Sequence, residues 1–247
     1  MLGLATPVVP QIMFGFKKRD SVLEIELENV TKVFEGKEVL KNVSLQVPRG
    51  KSLVVVGPLD SGKELLLNLI NGASLPDSGR VRVLGVDTRE IGDDDRWHQF
   101  LENFGLVSQR SLLFRSLTVG LNIALPLKLR VDRFFSEEEI TARVGRILRE
   151  VGLSSEYIMK LPTDLDEEAR KRVELARALA YEPKILLYDE PVLGLGPQAR
   201  KRIGKLIRKV NQRFSLTAFT VTLDEEFAKQ IADGILFLDV QTGMLHN

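Results

Sequence analysis

Two short stretches hold residue types that can manage a polyphosphate. Gly57-Pro58-Leu59-Asp60-Ser61-Gly62-Lys63 fits the pattern G-x-x-x-x-G-K, and it lies between a short apolar run, Ser52 to Val56, and an apolar segment of helical spacing, Lys63 to Ile70. Backbone N–H groups of such a loop and of the helix that it opens point at phosphate oxygens, and the lysine reaches the outer phosphates. The second stretch, Ile185-Leu186-Leu187-Tyr188-Asp189-Glu190-Pro191, is an apolar strand that ends in two acids. Asp189 suits a magnesium ion and Glu190 suits the orientation of an attacking water. Paired acids also occur at ordinary solvated loop starts, and the phosphate loop upstream argues against that here. At position 64 stands Glu64, where a serine or threonine hydroxyl normally meets magnesium. Its carboxylate is able to ligate the ion, but it also sets a negative charge beside a polyphosphate. One such pair about 4 Å apart costs roughly 4 kcal/mol at an effective dielectric near 20. In the first turn of a helix the same charge favours the dipole.

These residues need strands and helices to hold them. Leu23 to Val30 alternates apolar and polar residues as a half-buried strand does, and Val39 to Val47 is a second strand closed by Pro48-Arg49-Gly50. Ser52 to Val56 reads as a buried parallel strand. Arg80 to Val86 and Phe104 to Val107 are further strands. Helical patterns then fill the middle: Thr118 to Ala124, Ser136 to Val151 with a capping box formed with Glu139, and Glu167 to Ala180. Alternation resumes with strands Lys184 to Tyr188, Thr217 to Val221 and Ile235 to Asp239, separated by helices Gln198 to Gln212 and Asp224 to Ala232. The order predicts an α/β fold: a phosphate-loop core with a mostly parallel sheet, an N-terminal antiparallel β-subdomain near residues 23–50, and an inserted helical subdomain within about 111–181. Residues 1–22 are read as an extension, either a loose tail or a docking segment, and 23–247 as one domain.

Composition narrows the classes. The 247 residues include 35 Lys plus Arg against 34 Asp plus Glu, so nothing favours nucleic acid as a partner. There is no cysteine and there are two histidines, His98 and His246, which leaves almost no room for thiolate, imidazole-metal or triad chemistry. No apolar run reaches the roughly 18 residues of a membrane-spanning helix.

Taken together, these motifs resemble the ATP-binding subunits of ABC transporters over about Leu23 to Asp239. The resemblance implies that Phe34 stacks on adenine and that Gln109, in Val107-Ser108-Gln109, is the Q-loop glutamine, sharing magnesium with Asp189. It implies ATP with Mg2+ as cofactor, bound weakly or not at all, and Glu190 as the catalytic residue if the chain is active. It also implies an integral membrane permease and a second ABC subunit as partners, in a homodimer or heterodimer on the cytoplasmic face of the inner membrane. Leu112-Leu113-Phe114-Arg115-Ser116-Leu117-Thr118-Val119, Asn122-Ile123-Ala124-Leu125-Pro126-Leu127 and Tyr188 are similar to the Mla/Mce-type lipid-transport branch.

The departures from the family pattern concern phosphate. Leu165-Asp166-Glu167-Glu168-Ala169 stands where the family has its Leu-Ser-Gly-Gly-Gln signature, and three acids are expected to repel the phosphate that this segment receives in the family. Gly194-Leu195-Gly196-Pro197 lacks the D-loop aspartate, and Val221-Thr222-Leu223-Asp224 has leucine for the switch histidine. A transporter subunit with weak or absent hydrolysis and a structural or coupling role is the leading expectation. An active ATPase that tolerates the substitutions and a soluble regulatory or binding module are the alternatives.

Overall fold

The computed structural model describes residues 22–59, 61–110, 113–129 and 134–247. The N-terminal extension, Asp60 and Leu112 therefore lie outside the described residues, apart from Val22 at the end of the extension.

Strands β1 (Leu23–Phe34) and β2 (Lys37–Pro48) form an antiparallel hairpin, and β4 (Ser78–Val83) and β5 (Val86–Asp87) extend it into a four-stranded sheet in the order β2-β1-β4-β5. Arg80 to Val86, expected as one strand, is broken at Leu84 and Gly85. Both adopt left-handed backbone (φ 53 and 81), which turns the chain back on itself.

The second sheet has the order β10-β9-β3-β8-β7-β6. Strands β3 (Ser52–Val56), β6 (Phe104–Val107), β7 (Ile185–Asp189), β8 (Thr217–Thr222) and β9 (Gly234–Asp239) run parallel, and β10 (Met244–His246) closes the edge as an antiparallel hairpin. All of β3 is buried between β9 and β8, as its unbroken apolar run requires. Apolar side chains from the two faces of this sheet belong to two separate clusters. Val54, Val56 and Leu186 pack toward the helices, and Leu53, Val55 and Leu187 pack toward the antiparallel sheet and helix α1 (Lys63–Ile70).

Helix α2 (Asp94–Leu101) was not legible as a periodic run; it is short, and Asp93 caps it through Arg96 N–H at 2.8 Å. Helix α3 (Val119–Lys128) runs past the expected end at Ala124 and through Pro126. Helices α4 (Glu137–Glu150) and α5 (Glu167–Ala180) complete the helical insert, with the Ser136–Glu139 capping box in place. Helices α6 (Pro197–Arg213) and α7 (Glu225–Ile231) pack against each other and belong to the core.

Candidate nucleotide site

The phosphate loop joins β3 to α1, as expected. Gly62, the residue before the helix, has φ 79, and a Cβ there would lie 2.0 Å from Val39 Cγ1, so only glycine lets the hairpin approach the loop. Ser61 is buried, and its Oγ has no hydrogen-bond partner among the described residues. An unpaired polar atom, a left-handed glycine and an opening helix fit a phosphate group. Phe34, half exposed, lines a cavity of about 280 Å3 with Glu35, Lys37, Val39, Ser61 and Val240, so the aromatic and the phosphate loop face one space.

Lys63 is buried; its Nζ donates to Pro58 O at 2.8 Å and stands 3.1 Å from Glu190 Oε1. Glu190 has φ 45, a left-handed backbone that costs an ordinary residue about 1 kcal/mol or more. Four contacts hold it there. Its N–H donates to Val221 O (3.0 Å), its Oε2 accepts from Thr222 Oγ1 (3.0 Å) and Leu223 N–H (3.2 Å), and Lys63 faces the other oxygen. Asp189 is partly buried at the end of β7, and its carboxyl is pushed up from the ordinary range. Burial is the largest cause and the Glu64 and Glu190 carboxylates follow, while the Gln109 backbone N–H and Lys63 oppose them. Lys63, Glu64, Gln109, Asp189 and Glu190 thus converge, although Gln109 and Glu64 are exposed. Asp189 and the Gln109 side chain are the groups that would hold magnesium, which would neutralise phosphate charge. No local pattern marks Thr222 as part of the site; the packing of β8 beside β7 makes its hydroxyl a hydrogen-bond donor to Glu190.

At the start of the helical insert's α5, Asp166 caps the helix by accepting Ala169 N–H at 2.7 Å, and Glu167 is exposed. Glu168 does not join them as a third free acid, which corrects the expected charge. Arg202 and Arg172 bond its carboxylate at 2.6 and 2.8 Å, and these guanidiniums, Arg202 foremost, hold it below the usual carboxylate range. Leu223 is 41% exposed beside Glu190. Gly196 starts α6 without a side chain to cap it, and Gly194 beside it has φ 84.

The ABC transporter family model matches residues 40–193, which hold the phosphate loop, the helical insert and the Asp189-Glu190 strand. The chain belongs to the ABC transporter family. It is 38% identical over 219 residues to a sulfate/thiosulfate import ATP-binding protein of Thermosynechococcus vestitus, covering 87% of this chain and 61% of that relative. It is 35% identical over 227 residues to a methionine import ATP-binding protein of Clostridium acetobutylicum, covering 90% and 69%. The chain thus spans about three fifths of the sulfate/thiosulfate relatives it matches. The dimeric, ADP- and Pi-bound ATP-binding cassette MJ0796 superposes with a TM-score of 0.80 at 30% identity, over 90% of this chain and 97% of that one. The cbiO1 protein of Clostridium perfringens shares the fold, with a TM-score of 0.82 at 24% identity, over 92% and 88%.

The resemblance to the lipid-transport branch is corrected by these import relatives. Two residues that carried it prove to be packing devices. The Asn122 side chain accepts Phe114 N–H and donates to Phe114 O, Leu117 O and Thr118 O, and Tyr188 is buried with its hydroxyl on Asn211 Oδ1 at 3.0 Å. Residues with such internal tasks report the fold rather than a cargo.

Proposed function

We propose that the chain is the nucleotide-binding subunit of an ABC import transporter, with little or no ATP hydrolysis of its own and a structural or coupling role. Its partners in this reading are an integral membrane permease and a second ABC subunit, and it sits peripherally on the cytoplasmic face of the inner membrane. Among the described residues no helix is long and apolar enough to cross a bilayer.

One observation carries the reading. The N-terminus of α5 is already served by an acid of its own chain, Asp166 on Ala169 N–H, with exposed Glu167 beside it. A phosphate brought there by a neighbouring subunit would meet carboxylates instead of free amides. Leu223 adds a second defect, since an apolar side chain cannot stabilise phosphate charge. Losing one preorganised donor costs roughly a hundred- to a thousandfold in rate, and residues that act as a unit do not add. Leu223→His alone is therefore expected to stay nearly inactive.

A second reading, an active ATPase, is favoured by the intact grouping of Lys63, Asp189 and Glu190. Phosphate release by the purified complex, compared with the same complex carrying Glu190→Gln in this chain, separates the two. Release near background and unchanged by the substitution is expected. Robust release abolished by it would establish Glu190 as a working catalytic residue.

A further inference from the structure

Glu168 connects three helices. Its carboxylate receives Arg202 Nη2 at 2.6 Å and Arg202 Nε at 2.9 and 3.1 Å, a forked contact with α6 from 34 residues away. On its other side Arg172 Nη2 donates at 2.8 Å, and Arg172 Nη1 continues to Val151 O, at the end of α4, at 2.6 Å. Gly152 makes room for that last bond, since a Cβ there would stand 2.8 Å from Arg172 Nη1. The Glu168 and Arg172 side chains are 17% and 18% exposed, so solvent screens their contact less than it would an open surface pair, whereas the contact with exposed Arg202 rests on its forked geometry. Forked, charge-assisted hydrogen bonds are also directional, which favours a single relative orientation of the elements that they join.

We propose that Glu168 is a clamp that holds the helical insert in one orientation on the core, independently of nucleotide. The proposal deepens the coupling role proposed above and rests on it: a subunit that transmits force without hydrolysing ATP needs a rigid body. Arg202 supplies the core half of the clamp and Arg172 passes it on to α4. The acid therefore has a use inside the chain, at a position where a free carboxylate would only repel phosphate.

The chain contains no cysteine, so Thr141→Cys on α4 and Lys205→Cys on α6, both exposed, accept spin labels without background. Double electron–electron resonance on the full chain is expected to give one narrow distance distribution, the same with and without Mg-ATP. Glu168→Gln and Arg202→Met are each expected to broaden or split it. Arg202 is exposed, so its variant keeps the test open if Glu168→Gln fails to fold. Distributions in the variants as narrow as in the parent overturn the clamp, as does a parent distribution that moves by several ångström on adding Mg-ATP. Neither result depends on hydrolysis. Robust, Glu190-dependent phosphate release with a narrow, variant-sensitive distribution would sink the non-hydrolysing reading and leave the clamp standing.

Discussion

Glu64 shows how exposure sets the size of a charge effect. A carboxylate beside a polyphosphate costs roughly 4 kcal/mol at an effective dielectric near 20 but only about 1 kcal/mol in water. Glu64 is exposed, so the lower figure applies, to which the loss of the usual hydroxyl ligand is added. Glu64→Ser is expected to tighten Mg-ATP binding about tenfold, or ~1.4 kcal/mol. Glu64 also helps to hold the Asp189 carboxyl above its ordinary range, and Asp189 must be ionised to hold a cation. Magnesium-dependent affinity should therefore rise with pH through and above the ordinary carboxylate value of about 3.9. In Glu64→Ser that rise should move to lower pH. Calorimetric titration of both proteins across a pH series that starts at the ordinary carboxylate value checks both statements. Superimposable curves would remove Glu64 from the account of affinity.

At the scale of elements, the segment between β6 and α3 depends on one side chain. Asn122 is fully buried in α3 and satisfies one N–H and three carbonyls of residues 114–118, a stretch with little regular structure of its own. Asn122→Ala would take the side-chain partner from Phe114 N–H and Leu117 O, while Phe114 O and Thr118 O keep the backbone N–H groups of Leu117 and Asn122, at about 1–3 kcal/mol for each group that stays unsatisfied. Relaxation toward solvent would recover part of that, so a net loss of about 2–4 kcal/mol in denaturant unfolding is expected. A loss under about 0.5 kcal/mol, the usual scatter of surface substitutions, would mean that the loop holds itself. Phe114 in this segment and Leu121 in the first turn of α3 are 49% and 45% exposed.

For the whole molecule, the question is which surface meets a partner. Exposed apolar residues recur on the helical insert and the loop that enters it, among them Phe114, Leu121 and Leu129. Leu121→Glu is expected to leave the melting temperature of the isolated chain nearly unchanged while abolishing co-purification with the membrane permease proposed above. An intact complex in the variant would place the contact elsewhere. Much of this molecule was readable from local pattern. Ser52 to Val56, Lys63 to Ile70, Phe104 to Val107 and Glu167 to Ala180 have the expected bounds, because periodicity, a turn glycine and helix caps act within a few residues. The phosphate loop and the Asp189-Glu190 pair were legible for the same reason. Short elements without a period, α2 and β10, were not. The charge state of the signature segment was also out of reach. Three consecutive acids read as a helix start capped by Asp166 and as one repulsive patch; Asp166 does cap the helix and Glu167 meets solvent, but Glu168 pairs with Arg202, 34 residues away on another helix. Likewise Glu190 is held in place by Thr222 and Leu223 only because β8 lies beside β7. Sequence by itself determined which local backbone shapes form and which chemistry they carry. Packing decided which charges are paired and how strongly water screens them, because both depend on neighbours that are distant along the chain.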